Sequence, residues 1–230
     1  MRYAVYFTPP KDDPLTLAAA RWLGRDAFSG EQISVGQIVP GLSETLSAYH
    51  TAAPRRYGFH GTIVAPFALA SSAGEGELIA AFDAFCAGHR AFTIPAVGLR
   101  RLGSFLTLMA SEPCAELQEL AAAAVIHFDA WRAPLGEDGI ARRNPEKLSE
   151  RQNALLLRWG YPYVMEEFRF HMTLSGSLPA DLAEPFEAAA RHWFAPFIDA
   201  PLAVDGLALF VEPDAGAPFT VMRHARLASV

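Results

Sequence analysis

Residues 57–64 read YGFHGTIV, and residues 169–175 read RFHMTLS. Each segment places a histidine two residues before a threonine inside an apolar run, and the two segments lie about half a chain apart. In an extended strand, side chains two residues apart leave on one face, whereas adjacent side chains leave on opposite faces. His60 therefore shares a face with Thr62, and His171 shares a face with Thr173 and Ser175. The two segments predict a pair of strands that form the walls of a polar cleft.

The elements after the two His-x-Thr strands are predicted to follow a common order of strand, helix, strand, turn and strand. Sequential strands joined by short turns favour antiparallel pairing. We therefore expect an α+β fold with two pseudo-symmetric lobes, each an antiparallel sheet with outer helices, around a central cleft. Residues 1–230 are predicted to be a single domain of two duplicated lobes, with His-x-Thr strands at 60–62 and 171–173. The predicted helices are 77–87 and 181–193, and the predicted strands are 92–99, 104–110, 202–211 and 219–227, with a turn at 100–103.

Capping residues predict further helices. Asp13-Pro14 is a cap and first-turn pair for a helix over 15–23, which Gly24 ends. Ser149 followed by Gln152 is a capping box for a helix that Gly160 stops. A further helix is predicted over 116–128 from its apolar spacing. Residues 134–145 are rich in Pro, Gly and Asp and predict a loop, either over the cleft or in solvent.

The composition and net charge of the chain argue against several classes of function. The chain has 230 residues, two cysteines and a formal charge of −6, with only two lysines among its basic residues. Its acidic balance argues against salt-driven binding to long nucleic acid, and no apolar stretch approaches the roughly 20 residues that span a bilayer. We expect a cytoplasmic protein without a disulfide framework, a membrane segment or a stable protein partner.

Two facing imidazoles suggest acid–base chemistry. The pKa of histidine lies near neutral pH, so one ring can accept a proton from attacking water while the other donates a proton to the leaving oxygen. Threonine hydroxyls can donate hydrogen bonds to the non-bridging oxygens of a phosphate. This arrangement requires no metal or cofactor and suits the opening of a cyclic phosphodiester.

The paired motifs resemble the two-histidine (2H) phosphoesterase superfamily, which includes RNA 2′,3′-cyclic phosphodiesterases and 2′-5′ RNA ligase-like proteins. The whole chain is similar to a branch linked to phosphonate-metabolism operons. The resemblance implies a phosphoric diester hydrolase with His60 and His171 as catalytic residues and Thr62 and Thr173 as phosphate-binding residues. Such relatives often carry Ala at Gly61 and a basic residue at Val64. The segments that carry the resemblance are Arg2–Phe7, Arg56–His60, Arg101–Leu106, Trp159–Val164 and Phe168–Leu174.

Three residues near the two His-x-Thr motifs are predicted to bind substrate, because their spacing or position places them on the same face as the histidines. Arg56 and Arg169 can supply positive charge to phosphate oxygens, although arginines near strand starts are also common in solvent. Tyr6 on the first strand can stack on or hydrogen-bond a sugar or base.

Three hypotheses compete. The leading one is a metal-independent hydrolase for a small cyclic phosphate, either of ribose or of a nucleotide, with a link to phosphonate metabolism that comes from the resemblance alone. In a variant of this hypothesis, the substrate is an RNA end that carries a 2′,3′-cyclic phosphate or a 2′-5′ linkage. The others are a metal-dependent hydrolase with histidine ligands and a module that binds a phosphorylated ligand without turnover.

Overall fold

The computed structural model describes residues 1–229. Its strands are β1 (Arg2–Phe7), β2 (Gly61–Phe67), β3 (Phe92–Leu102), β4 (Phe105–Ala110), β5 (His171–Thr173), β6 (Ala200–Val204), β7 (Gly206–Glu212) and β8 (Thr220–Arg226). Its α-helices are α1 (Pro14–Leu23), α2 (Glu44–Tyr57), α3 (Glu75–Ala87), α4 (Ala115–Phe128), α5 (Glu137–Ala141), α6 (Glu150–Trp159) and α7 (Ala180–Trp193).

The strands form an eight-stranded antiparallel sheet in the order β6-β3-β4-β5-β2-β1-β7-β8. The sheet divides into two halves of four strands, which meet where β5 lies beside β2. A single residue pair, Gly61 with Met172, registers this junction. Each half contributes one His-x-Thr segment at its inner edge. The predicted α+β fold with antiparallel strands is confirmed.

The sequence order of the strands differs between the halves. One half consists of the consecutive strands β3, β4, β5 and β6, while the other combines β1 and β2 with β7 and β8. The prediction of one strand over 202–211 is therefore wrong. The extended strand is interrupted at Asp205. As a result, β6 pairs with β3 in one half of the sheet, and β7 pairs with β1 in the other half.

The main apolar core covers one face of the sheet. Val5 and Phe7 of β1, Ile63 of β2, and Leu108 and Met172 in the other half all belong to this core. Helices α3, α4 and α7 pack against β7 and β8, against β2, and against β3, respectively. The alternate residues of β1 belong to a smaller cluster on the other side, made of Ala4, Tyr6, Ala27, Ala208, Phe210 and Phe219.

The predicted caps are confirmed. The carboxylate of Asp13 accepts a hydrogen bond from the backbone N–H of Leu15 (2.8 Å), and Gly24 ends α1 in the left-handed conformation. Ser149 and Gln152 form the reciprocal capping box of α6.

Two local predictions need correction, and one helix was not predicted. Arg100 and Arg101 lie in β3, which runs to Leu102, so the turn is shorter than predicted. The segment 134–145, predicted as a loop, contains the short helix α5. Helix α2 was not predicted, because its sequence is polar and contains Pro54. Over residues 1–229, the helices are too short or too polar to cross a lipid bilayer.

Candidate active site

The turn between α2 and β2 fixes His60. Gly58 follows the last residue of α2 with a φ of +75°, and a Cβ atom there would lie 2.4 Å from the Cβ of Ala27. Glycine therefore fits this sharp turn, where a side chain would be both strained and obstructed. The carbonyl of Gly58 accepts a hydrogen bond from Nδ1 of His60 (2.9 Å).

His171 is held in the same way. Its Nδ1 donates to the carbonyl of Arg169 at 2.7 Å, again two residues earlier in the chain. When Nδ1 carries the proton of a neutral imidazole, Nε2 is left as the acceptor. In the first motif, Nε2 of His60 accepts a hydrogen bond from the hydroxyl of Thr62 (3.2 Å). Both rings are thus oriented by backbone carbonyls and present Nε2 for chemistry.

The register brings the two motifs together. Because Gly61 pairs with Met172 in antiparallel strands, one further step in each direction sets His60 opposite Thr173 and Thr62 opposite His171. Residues directly opposite each other have Cβ atoms about 5 Å apart, and diagonal neighbours are about 7–8 Å apart. The two histidines are diagonal neighbours. The two rings are close enough for a charge on His171 to lower the pKa of His60.

The environment of His60 favours its neutral form. Burial lowers the pKa of His60 to about 4, and the charge of His171 adds to this effect, whereas the hydrogen bond to Gly58 opposes it. The ring of Tyr6 stacks on the imidazole with a centroid distance of 3.9 Å and an angle of 23°. His60 is therefore neutral at pH 7.

The alternation predicted for both motifs is present in the structure. Phe59, Ile63 and Met172 are buried in the main core, while the four His and Thr side chains are half-buried on the other face. Ser175 departs from this pattern of half-exposure. It is fully buried, and its hydroxyl accepts a hydrogen bond from the N–H of Leu106 (2.9 Å) and donates one to the carbonyl of Gly176 (2.8 Å).

The aromatic and basic neighbours occupy different positions. Tyr6 is 1 % exposed and lies beneath the ring of His60, so it supports the imidazole directly. Arg56 forms an ion pair with the buried carboxylate of Glu212, and Arg169 is exposed beside His171. Binding of substrate by these three residues stays a prediction.

Two structural neighbours were not identified from the sequence. Glu212 ends β7 and binds both Arg2 and Arg56, which connects the last turn of α2 to the sheet just before Gly58. The sequence feature that could have identified Glu212 is an acidic residue at the end of the otherwise apolar strand GLALFVE. The second neighbour is Phe170, whose ring would lie 2.4 Å from a Cβ atom on Gly61. A side chain at position 61 would therefore require the ring of Phe170 to move.

Two cavities of the protein lie away from the paired motifs. One of about 340 Å³ lies between the segment 9–15 and the segment 196–205, and another of about 400 Å³ lies between 129–140 and 156–157. Neither cavity is lined by His60, Thr62, His171 or Thr173. Over residues 1–229, no three His, Cys, Asp or Glu side chains are grouped so as to hold a metal ion.

Comparison with known proteins gives two curated relatives. The chain is 44 % identical over 222 residues to "Ribose 1,5-bisphosphate phosphokinase PhnN" of Janthinobacterium sp. (strain Marseille), covering 95 % of this chain and 49 % of the relative. It is 36 % identical over 226 residues to the protein of the same name from Laribacter hongkongensis (strain HLHK9), covering 97 % of this chain and 51 % of the relative. The chain thus spans about half the length of the curated relatives it matches.

Among solved structures, the crystal structure of TT0787 of Thermus thermophilus covers 100 % of this chain and 99 % of its own, with 15 % sequence identity and a TM-score of 0.48. The family comparison matches residues 62–220, a stretch that includes Thr62, His171 and Thr173 and begins two residues after His60. Since this match spans most of the sequence, the chain belongs to the DUF1045 family, whose description is "Protein of unknown function".

Proposed function

We propose that this protein is a phosphodiesterase that opens a small cyclic phosphate by acid–base catalysis between two histidines. The observation that carries the proposal is the register of β2 and β5, which sets His60 and His171 diagonally across one face. Each has Nδ1 bound to a backbone carbonyl and Nε2 presented to the site. Thr62 and Thr173 stand opposite the histidines and supply hydroxyl donors for phosphate oxygens.

The lowered pKa of His60 indicates that His60 is the general base and His171 the general acid in the proposed reaction. Neutral His60 accepts a proton at Nε2 from a water molecule as the water oxygen forms a bond to phosphorus. The bond from phosphorus to one sugar oxygen breaks with its electron pair, and protonated His171 donates a proton to that oxygen. The product is a phosphomonoester with a free sugar hydroxyl. The weak hydrogen bond from Thr62 to His60 is exchanged for one to the substrate.

The names of the relatives support ribose as the sugar. Those proteins are named for a kinase that acts on ribose 1,5-bisphosphate, and this chain matches about half of each. A cyclic phosphate that joins O1 and O2 of ribose 5-phosphate yields ribose 1,5-bisphosphate when its bond to O2 is hydrolysed. We therefore propose this class of substrate first, with cyclic nucleotides second. The phosphonate link and the cytoplasmic location stay predictions.

A product assay tests the proposal. The parent protein is incubated with cyclic phosphates of ribose, of ribose 5-phosphate and of nucleosides, and phosphomonoester release is measured. Replacing His60 or His171 with Ala should lower turnover by about 10² to 10⁴, the usual scale for one acid–base group. His192, exposed at the end of α7, provides the matched control, and its replacement with Ala should leave turnover unchanged.

Three results would contradict the proposal. Full activity in both single variants on the best substrate would remove the catalytic role of the histidines. Tight binding of a cyclic phosphate without product would favour the binding module. Activity that is lost with a chelator and restored by zinc or manganese would favour the metal-dependent hydrolase.

A further inference from the structure

The strand register places an arginine on the same face as the paired motifs. Arg100 of β3 pairs with Thr107 of β4, and Thr107 pairs with Thr173 of β5. Residues directly opposite each other on neighbouring strands project from the same face of a sheet. Arg100 therefore shares its face with Thr173 and with His171.

Gly98 leaves room for the guanidinium of Arg100. A Cβ atom on Gly98 would lie 2.9 Å from Nη1 and 3.1 Å from Cζ of Arg100, so the guanidinium covers the position where Gly98 has no side chain. Gly98 pairs with Met109, and Met109 pairs with His171. Since neighbouring strands lie about 4.8 Å apart, the guanidinium lies two strands, or about 10 Å, from the backbone of His171.

Arg100 carries its charge without a counter-ion. Its Nη1 donates to the carbonyl of Leu99 at 3.0 Å, and over residues 1–229 no carboxylate forms an ion pair with it. The next residue behaves differently, because Arg101 pairs with Glu187 of α7 at 2.6 Å. Arg100 is thus a positioned cation with free donors, and Arg101 is a surface ion pair.

The other half of the sheet has no equivalent charge at this position. In that half, Thr62 pairs with Tyr6, and Tyr6 pairs with Ala208 of β7. Ala208 is therefore two strands from Thr62, just as Arg100 is two strands from Thr173. At this register position the two halves therefore differ. One has the guanidinium of Arg100, and the other has the methyl group of Ala208, which is fully buried.

We propose that Arg100 binds a second phosphate of the substrate, on a carbon remote from the cyclic phosphate. This inference rests on the proposed function and narrows it to sugar phosphates with an additional phosphomonoester, such as the 5-phosphate of a pentose. The planar guanidinium makes paired hydrogen bonds to phosphate oxygens. A separation of two strand spacings is comparable with the length of a pentose that carries a phosphate at each end.

Two matched substrates test the inference. The cyclic 1,2-phosphate of ribose is compared with the same compound carrying a 5-phosphate, and kcat/KM is measured for each. The parent protein should prefer the 5-phosphorylated compound. In the Arg100→Gln variant, the ratio of the two kcat/KM values should fall by about 10- to 100-fold, mainly through KM, because a charged hydrogen-bonding partner is lost. The Arg101→Gln variant should keep the parent ratio within about twofold.

The Gly98→Ala variant provides an independent perturbation. The added methyl group displaces the guanidinium while its charge is retained, so the ratio should fall in the same direction as in Arg100→Gln. Arg100→Lys should recover part of the ratio, because lysine supplies the charge without the planar pair of donors. An unchanged ratio in Arg100→Gln, or an equal loss in Arg101→Gln, would overturn the inference.

Calorimetry separates this inference from the proposed function. In the His60→Ala, His171→Ala double variant, adding Arg100→Gln should weaken binding of ribose 1,5-bisphosphate about 10-fold more than binding of ribose 1-phosphate. If the parent protein hydrolyses no cyclic phosphate but this difference is found, the proposed function fails and the phosphate site stands. If hydrolysis is found and the difference is not, the phosphate site fails alone.

Discussion

Replacing Glu212 with Gln should destabilise the protein and loosen the segment that holds His60. The carboxylate of Glu212 is 1 % exposed and accepts hydrogen bonds from Arg2, from Arg56 and from the N–H of Gly216. Although burial acts to raise it, the pKa of Glu212 is lowered by these partners from 4.5 to about 2. Glutamine keeps the shape of the side chain and removes the charge that both guanidiniums face.

The magnitude follows from the lowered pKa. The difference between 4.5 and about 2 corresponds to at most about 3 kcal/mol. The two arginines are 36 % and 35 % exposed, so solvent screening reduces the expected loss to about 2 kcal/mol. The unfolded chain binds this proton below about pH 4.5, whereas the folded chain binds it only near pH 2. The contribution is therefore complete above pH 4.5 and is lost as the pH falls toward 2.

Urea unfolding followed by tryptophan fluorescence measures the effect at pH 7 and at steps down to pH 3. The difference between the parent protein and Glu212→Gln should be about 2 kcal/mol at pH 7 and should shrink as the pH falls. Glu187→Gln is the matched control, because Glu187 forms exposed ion pairs with Arg101 and Arg191 and should cost less than about 1 kcal/mol. Equal losses in the two variants, or a difference that does not depend on pH, would refute the reasoning.

Three further predictions concern the site and its supports. For the free enzyme, kcat/KM should decrease as the pH falls through about 4, because His60 then takes up the proton that prevents it from acting as a base; an acid limb that persists unchanged in His60→Ala would contradict this. Gly61→Ala should lower the free energy of unfolding by about 1–3 kcal/mol, because its methyl group meets the ring of Phe170, and a stability equal to that of the parent would show that the ring moves freely. Ser175→Ala should cost about 1–3 kcal/mol in a urea titration, because it leaves the buried N–H of Leu106 without its partner, and a neutral result would indicate a replacement partner.

Local signals in the sequence predicted much of the fold. The alternation around His60 and around His171 separated Phe59, Ile63 and Met172 on the core face from the His and Thr side chains on the polar face, because burial on one side of a strand imposes a period of two. Ser175, which was expected beside Thr173 on the polar face, is fully buried. The caps at Asp13 and Ser149 were also read correctly, since each depends on side chains within a few residues of the helix start.

Features that depend on distant partners were not predictable from one sequence. Asp205 separates two strands only because β6 and β7 pair in different halves of the sheet. The sequence pattern predicts a turn at Arg100, whereas its position on the site face follows from its pairing with Thr107. Glu212 and Arg56 are 156 residues apart in the sequence, so no local sequence pattern predicts their ion pair.

The junction between β2 and β5 has fewer registered residue pairs than the other strand pairings of the sheet. Gly61 and Met172 form the registered pair there, whereas β3 and β4 are joined by six such pairs. The two halves are also joined beneath the sheet, because one apolar core contains Val5 and Ile63 from one half and Leu108 and Met172 from the other. The spacing of His60 and His171 therefore depends on this packing as well as on the strand ladder, so we expect substitutions in the core to alter the candidate site from the opposite face of the sheet.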